Sequence, residues 1–254
     1  MEEFITVRQI SQTYQAENGE VVALDGISFA VATGEFVSIV GPSGCGKSTL
    51  LSIIAGEIAP TSGQVLLQGE PVVGFSPKVG YMLQKDQLLP WRSIEKNVLL
   101  GLEIRGRLTE ETRSRACDLL KKYGLWDFRH SYPHQLSGGM RQRAALIRTL
   151  AVQPEVFLLD EAFSALDYQT RLAVTDDVYR ILKQEAKTTL MVTHDISEAI
   201  SMSDRVIILS RRPAQVVRIM KMPFEPDLMP LERRNHPAFG ESFNIIWKEL
   251  DVHV

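Results

Sequence analysis

The stretch Gly41-Pro42-Ser43-Gly44-Cys45-Gly46-Lys47-Ser48 fits the pattern G-x-x-x-x-G-K-[ST], whose glycines let several backbone N–H groups surround one phosphate. The apolar run at 35–40 predicts a buried strand before the stretch, and 47–56 predicts a helix after it. Phosphates would then lie at a helix N-terminus, where free N–H groups and the helix dipole favour anions. The stretch therefore predicts a nucleoside triphosphate site, with Lys47 beside the phosphates and Ser48 on Mg²⁺.

Composition excludes several other classes of protein. The 254 residues are 44% apolar and carry a formal net charge of −3, without the basic excess that is typical of nucleic-acid binders. No apolar run approaches the roughly 18 residues of a membrane span, and the acidic N-terminus lacks the pattern of a signal peptide. Two cysteines do not make a disulfide framework. We expect a protein of the cytosol that has no nucleic-acid partner.

Strand and helix patterns alternate along the chain, with one helical interruption. Strands are predicted at 4–14, 27–31, 35–40, 63–69, 79–83, 156–159, 188–192 and 205–209, with an Asn18-Gly19 turn between the first two. Helices are predicted at 47–56, 93–105, 109–123, 141–150, 169–185, from 196 and at 240–250. Continuous apolar strands separated by helices indicate an α/β fold whose parallel sheet is covered on both faces. We predict an α/β core at 1–84 and 154–220, a helical subdomain at 85–153, and a tail with a terminal helix at 221–254.

Polar residues follow the predicted strands at positions that parallel strands would bring to one edge. Asp160 and Glu161 end the apolar strand at 156–159, a Walker B pattern in which the aspartate holds Mg²⁺. A carboxylate at Glu161 could orient or deprotonate a water molecule, although an isolated glutamate there is as often a solvated loop acid. His194 and Gln84 follow two further strands. Ligands bind outside the carboxyl ends of such strands, so all four should share an edge with the phosphate loop.

A second segment, Ser137-Gly138-Gly139-Met140, also predicts an anion site. Ser137 suits a helix N-cap, and the paired glycines would leave backbone N–H groups open at the start of a helix. Each glycine costs about 1 kcal/mol inside a helix, so a role limited to capping does not explain the pair.

These segments, in their order and spacing, resemble an ABC-transporter ATPase over residues 4–210. Ser164-Ala165-Leu166-Asp167 completes the set. The resemblance implies a P-loop NTPase core, mainly a parallel sheet with an antiparallel β part, plus an inserted helical subdomain. It also implies a head-to-tail dimer of two copies that closes on two ATP molecules. One departure is Met140, where the family's commonest signature has glutamine, although several importer ATPases resemble this chain there.

The resemblance also implies residue roles. ATP would be bound, with Tyr14 stacked on adenine, by Tyr14, Gly41, Ser43, Gly44, Cys45, Gly46, Lys47, Ser48 and Thr49. Mg²⁺ would be held by Ser48, Gln84 and Asp160. The catalytic group would be Glu161 as base, His194 as γ-phosphate switch, and Gln84 as the contact to the attacking water. Ser137, Gly138 and Gly139 would reach the partner's nucleotide, and Asp167 would line the dimer seam.

A single cassette without a membrane span resembles an importer's separate ATPase subunit. Leu88-Leu89-Pro90-Trp91 fits a groove that receives a helix of a transmembrane permease, and burial within the helical part explains it equally well. This segment, Met140 and Arg211-Arg212-Pro213 resemble the nitrate/sulfonate/taurine importer group. The implied location is the inner face of the membrane, through the permease, with a substrate-binding protein as indirect partner. A soluble ABC ATPase that drives assembly of a cytosolic complex is the alternative. A P-loop kinase or GTPase would not explain Ser137-Gly138-Gly139.

Overall fold

The computed structural model describes residues 3–16 and 19–252. Its strands are β1 (Glu3–Ala16), β2 (Gly19–Ala32), β3 (Phe36–Val40), β4 (Ser62–Leu67), β5 (Glu70–Pro71), β6 (Val79–Met82), β7 (Val156–Asp160), β8 (Thr188–Val192), β9 (Arg205–Leu209) and β10 (Val216–Lys221). Its helices are α1 (Lys47–Ala55), α2 (Ile94–Ile104), α3 (Glu110–Lys122), α4 (Gly138–Ala151), α5 (Tyr168–Gln184), α6 (Ile196–Met202), α7 (Pro230–Arg234) and α8 (Ala238–Val252).

The larger sheet has the order β10-β9-β3-β8-β7-β6, and only the β9–β10 pair is antiparallel. Every residue of β3 and of β8 is buried, because helices cover both faces of the sheet. Phe36 pairs with Thr189 of β8, and Val37 pairs with Arg205 of β9. The predicted α/β fold with a mainly parallel sheet is therefore confirmed. It places β7, β8, β3 and β9 side by side with their carboxyl ends at one edge.

The smaller sheet, ordered β2-β1-β4-β5, is the antiparallel part that the resemblance implied. Strand β2 is longer than the predicted 27–31, and its buried positions lie mainly in its second half. Asn18, half of the predicted turn, lies outside the described residues. Strand β10 was not predicted, because its residues are exposed or half-buried and give no continuous apolar run. This edge strand forms by pairing with β9.

Side-chain caps explain where most helices begin. Ser93, Thr109, Ser137, Asp167 and Asp195 are N-caps, and the side chain of each accepts a hydrogen bond from a backbone N–H in the first turn. The predicted caps at Thr109 and Ser137 are therefore present.

The end of α3 differs by one residue from the prediction. Tyr123 is the C-cap, and Gly124 follows it at φ +71°, in the left-handed region that glycine adopts easily.

Helices α2, α3 and α4 lie between β6 and β7, in the segment predicted to be a helical subdomain. They do not have a core of their own. One apolar cluster runs from Val98 and Leu120 through Ala145 to Phe157 of the parallel sheet. The Arg148 side chain also donates to two carbonyls of the segment after β6, Asp86 O at 2.7 Å and Gln87 O at 2.6 Å. The boundaries at 84/85 and 153/154 thus remain a prediction.

The C-terminal segment packs on α6 and β9 and carries an unpredicted short helix, α7. The buried Arg233 of α7 donates to Ser203 O at 3.0 Å and to the Tyr179 hydroxyl at 2.8 Å. Ile246 of α8 is buried in a third apolar cluster with residues of α6 and β9. Among the described residues, no helix has both the length and the apolar character that crossing a bilayer requires.

Two glycines in the left-handed region provide a test of this packing. Gly56 ends α1 at φ +77°, and a Cβ there would lie 2.0 Å from the Gly74 carbonyl oxygen. Gly69 has φ +80° and open space around it. We expect Gly69→Ala to cost about 1–2 kcal/mol, the price of left-handed alanine, and Gly56→Ala to cost at least about 2 kcal/mol more. Urea unfolding measures both, and equal losses would contradict the packing of Gly56 against Gly74.

Candidate functional site

The parallel strands bring the predicted site residues to one edge of the sheet. Going across the sheet, Gln84 follows β6, Asp160 and Glu161 end or follow β7, and His194 follows β8. The predicted phosphate loop follows β3, which lies beside β8. The structure thus collects residues that lie far apart in sequence. A pocket of about 520 Å³ at this edge is lined by Ser43, Gly44, Gly46, Lys47, Ser48, Thr49, Glu161, His194 and Arg212.

The phosphate loop is shaped by close contacts that its glycines permit. Gly46 is the N-cap of α1 at φ 118°, and a Cβ there would lie 2.8 Å from Cδ2 of Leu24. A Cβ on Gly41 would lie 2.9 Å from Sγ of Cys45. The loop therefore wraps tightly around the start of α1, with the helix N-terminus open toward the pocket.

The Lys47 side chain lies inside the loop and forms hydrogen bonds with the loop backbone. Its buried ammonium donates to Gly41 O at 2.8 Å and Pro42 O at 3.0 Å. Both acceptors are neutral carbonyls, so the positive charge is not cancelled by a carboxylate and is available to an anion in the loop. Cys45 is buried next to it, and burial raises the pKa of its thiol. Cys45 therefore acts here as a small apolar residue.

Ser48 and Asp160 provide a pair of oxygens suited to a hard cation. The Ser48 hydroxyl donates to Oδ1 of Asp160 at 3.0 Å, and the Tyr81 hydroxyl approaches Oδ2 at 3.4 Å. Burial, together with the nearby Glu161 carboxylate, raises the pKa of Asp160. Burial and the charge of Asp160 raise the pKa of Tyr81 to about 12, so its proton stays in place. A half-buried carboxylate beside a hydroxyl fits Mg²⁺, which commonly takes one or two protein oxygens plus phosphate oxygens.

Glu161 is the centre of a second group. Its Oε2 lies 3.2 Å from Nδ1 of His194 and 3.5 Å from Nε2 of Gln84. The Ser164 hydroxyl accepts from Gln84 at 3.2 Å and donates to the Glu161 carbonyl at 2.9 Å. Glu161 has φ +45°, a left-handed conformation that is unusual for glutamate. The group can hold one water molecule between a carboxylate, an amide and an imidazole.

Thr49, which lines the phosphate-loop pocket, is approached by Tyr14 of β1. The exposed Tyr14 places its hydroxyl 3.5 Å from Oγ1 of Thr49, which is the limit of a hydrogen bond. The ring belongs to β1 and is 38% exposed.

The Ser137-Gly138-Gly139 segment faces a different pocket of the same chain. That pocket, of about 340 Å³, is lined by Gln84, Lys85, Asp86, Ser137, Gly138, Arg141, Gln142, Ala165, Leu166, Asp167 and Thr170. The Ser137 hydroxyl caps α4 by accepting from Met140 N at 3.3 Å. Asp167 caps α5 in the same way, and its hydrogen bonds with Thr170 lower the pKa of its carboxyl. Neither residue lines the phosphate-loop pocket of its own chain.

The paired glycines also have a packing role that sequence reasoning missed. A Cβ on Gly138 would lie 3.0 Å from Leu166, and a Cβ on Gly139 would lie 2.9 Å from Val174. Glycine therefore lets α4 begin directly against α5. The sequence carries no signal for this close approach, because it depends on how two distant helices pack.

Further residues at the edge were not predicted. Tyr81 contacts Asp160, Ser164 links Gln84 to Glu161, and Arg212 lines the pocket. Arg171 of α5 donates to Leu166 O at 2.9 Å and lies 3.4 Å from the Asp195 carboxylate. Of these, only Ser164 belongs to a segment that sequence reasoning singled out for chemistry.

Comparison with known proteins gives relatives over nearly the whole chain. The sequence profile of the family described as ABC transporter matches residues 24–164. An uncharacterized ABC transporter ATP-binding protein, YtlC of Bacillus subtilis, is 49% identical over 98% of this chain and 96% of its own. The taurine import ATP-binding protein TauB of Roseobacter denitrificans is 37% identical over 96% of this chain and 94% of its own. A dimeric structure of the ATP-binding cassette MJ0796 in a post-hydrolysis state with ADP and Pi matches with a TM-score of 0.73 and 32% identity, over 87% of this chain and 100% of its own.

Glu198, a buried acid close to Thr193 and Asp195, gives a pH-dependent test of the packing of α6. Glu198 of α6 is 3% exposed, and burial raises its pKa from 4.5 to about 7. A raised carboxyl pKa stabilises the fold most below pH 4.5, and this stabilisation is lost as the pH rises through 7. Glutamine stays neutral, so Glu198→Gln should gain up to about 3 kcal/mol relative to the native chain between pH 4.5 and pH 8.

Urea unfolding at the two pH values measures this gain. The exposed Glu111→Gln is the control and should show the same difference from the native chain at both. An equal difference for Glu198→Gln as well would contradict the elevated pKa.

Proposed function

Because the chain belongs to the ABC transporter family of ATP-binding, ATP-hydrolysing cassettes, we propose that it is the ATPase subunit of an importer for a small solute. The observation that carries the proposal is the separation of two anion sites in one chain. The phosphate loop and Ser137 line different pockets. Within one chain the Ser137 segment faces a different pocket from the phosphate loop. In a dimer, the Ser137 segment of one copy can contact the phosphate loop of the other.

The hydrolytic roles follow from the contacts at the edge. Glu161 is the base that takes a proton from water as it attacks the γ-phosphate. His194 holds the γ-phosphate side, and its 3.2 Å approach to Glu161 keeps the carboxylate oriented. Gln84 contacts the same carboxylate at 3.5 Å and can report whether a nucleotide is bound. Tyr14 stacks on the adenine, with Thr49 beside it.

The cation site consists of Ser48, Gln84 and Asp160. These residues would hold Mg²⁺, which neutralises negative charge on the β- and γ-phosphate oxygens. Asp160 is already hydrogen-bonded by Ser48 at 3.0 Å, so the two oxygens keep their places before a cation arrives. The raised pKa of Asp160 makes a cation there favourable, since its positive charge offsets the cost of burying the carboxylate.

The second copy completes each site. In a head-to-tail dimer, Ser137, Gly138 and Gly139 of one subunit close over the γ-phosphate held by the other, and Asp167 lies along the seam. The dimeric cassette structure with ADP and Pi supports a dimer of two copies. ATP then joins the two subunits, and hydrolysis releases them. The N-terminus of α4 supplies partial positive charge for the contact.

The importer assignment rests on the taurine import relative and on one exposed side chain. Leu88 is buried in the core beneath the helices, whereas Trp91, three residues later, is 73% exposed. The segment thus anchors itself by one end and offers an aromatic at the other, as suits docking of a permease helix. The chain would then sit on the cytoplasmic face of the membrane, bound to permease subunits. A partner binding protein would deliver a nitrate-, sulfonate- or taurine-like solute.

Glu161→Gln tests the catalytic base and the dimer together. It should lower steady-state hydrolysis by a factor of about 100 or more, because the amide cannot accept the proton. ATP binding should persist, and a dimer should accumulate on a sizing column with ATP. Adding Ser137→Arg should abolish that dimer, because the larger side chain blocks the partner's phosphate. Continued turnover in Glu161→Gln would contradict the first role, and a dimer in the double variant would contradict the second.

Permease docking is tested by co-purification with candidate transmembrane subunits, which are sought among the products of the neighbouring genes. Trp91→Ala should lose the permease by about tenfold or more in affinity while keeping its basal ATPase activity, because a central aromatic anchor is removed. Trp247→Ala is the matched control, since that tryptophan is 56% exposed on α8. Retention of the permease by Trp91→Ala would overturn the docking site. Absence of any permease partner would favour a soluble assembly ATPase instead.

A further inference from the structure

The β9–β10 connection places an arginine at the nucleotide edge. Strand β9 is parallel to β3, and Val40 at the end of β3 pairs with Ile208 of β9. The connection that follows β9 must therefore leave the sheet beside the loop that follows β3. Residue 212 lies in this connection, next to the phosphate loop. Each parallel strand from β6 to β9 thus delivers a polar residue to the same edge.

The connection is held firmly by the antiparallel sheet. Ala214 is buried and exchanges backbone hydrogen bonds with β2, donating to Ala23 O at 3.0 Å and accepting from Asp25 N at 3.0 Å. Gln215 donates its side-chain amide to the Asp25 carboxylate at 2.7 Å and its backbone N–H to the Ser210 hydroxyl at 3.0 Å. Arg212 therefore projects from a fixed base, even though its own side chain is exposed.

The Arg212 side chain reaches the phosphate loop itself. One terminal nitrogen, Nη2, donates to the Gly44 carbonyl at 2.5 Å, and the residue lines the 520 Å³ pocket. Among the described residues, Arg212 has no carboxylate partner. Other arginines near the sheet do have one: Arg171 pairs with Asp195, and Arg205 with Glu35. A guanidinium has five N–H donors, so one bond to a carbonyl leaves most of them available.

A triphosphate bound in the pocket would favour a second cationic side chain beside it. A nucleoside triphosphate carries several negative charges, and Lys47 is the only other permanently cationic side chain among the residues that line the pocket. Lys47 already donates to two loop carbonyls and lies inside the loop. Arg212 lies outside the loop, with its unpaired charge toward the same space. An arginine fork suits phosphate oxygens better than a lysine does, because two parallel N–H groups match two oxygens.

We propose that Arg212 is a nucleotide-binding residue, which keeps one N–H on the Gly44 carbonyl and directs the rest of its guanidinium to the β- and γ-phosphates. The proposal rests on ATP binding by the phosphate loop and adds a contact from the opposite side. Tethering to Gly44 limits the side-chain freedom that binding would otherwise remove. Arg212 is thus the contribution of β9 to the site.

The test measures nucleotide affinity by competition against a fluorescent ADP analogue. Arg212→Ala should raise the Kd for ATP about tenfold and the Kd for ADP by a smaller factor, and should leave AMP within about twofold. Arg212→Lys should recover part of the loss, since it keeps the charge without the fork. Arg211→Ala is the matched control, because Arg211 is exposed on the same connection, and its affinities should stay within twofold.

Four outcomes overturn the proposal. Two concern affinity: an ATP affinity of Arg212→Ala equal to that of Arg211→Ala, and a loss of AMP affinity as large as the loss of ATP affinity. The others are a fall in the Tm of Arg212→Ala of more than about 5 °C, and a defect seen only in dimer formation by the Glu161→Gln form. Equal loss for AMP or a lower Tm would mean that Arg212 only shapes the loop, and a dimer-only loss would place it at the seam. Lys47→Ala tests the phosphate loop separately. If that variant still binds ATP, the proposed role of the loop is wrong, whereas the comparison of Arg212 with Arg211 still stands.

Discussion

The parallel arrangement of five neighbouring strands is the constraint on which the rest of the molecule depends. Strands β6, β7, β8, β3 and β9 run in one direction, so all their carboxyl ends meet at one edge. Parallel pairing requires long crossover connections, and these become the helices that bury both faces of the sheet. The common direction of the strands thus produces the buried core and also brings the polar residues together at one edge. The functional residues need not be close together in the sequence, because the sheet brings them to the same edge.

The charged groups at this edge differ in their surroundings. The Lys47 ammonium donates to a neutral carbonyl, whereas Asp160 has a raised pKa because burial disfavours its anion. The combination favours a ligand that brings both phosphate oxygens for the lysine and a cation for the aspartate. A magnesium–nucleotide complex has both, which is why the proposed cofactors fit the same edge. Glu161 and His194 then meet where the terminal phosphate and its attacking water would lie.

The helical segment shows how packing and function share residues. Gly138 and Gly139 allow the close approach of α4 to Leu166 and Val174, and they also leave the N-terminus of α4 open. The segment shares its apolar core with the sheet, and Arg141 contacts the Asp86 carboxylate at 3.1 Å, just after Gln84. Arg141 of α4 thus contacts the segment that follows Gln84.

Local chemistry let the sequence by itself determine the phosphate loop, the Walker B strand, the α/β class and the N-caps at Thr109 and Ser137. Each depends on residues close together in the chain, through glycine conformation, apolar periodicity or a side chain within reach of its own backbone. Only the tertiary structure decided the strand order, strand β10, the tight seat of Gly138 and Gly139, and the contacts of Tyr81 and Arg212. These depend on pairs such as Gly44 and Arg212, which are 168 residues apart. Nothing in the sequence near either member encodes their meeting, because the fold of the sheet between them brings them together.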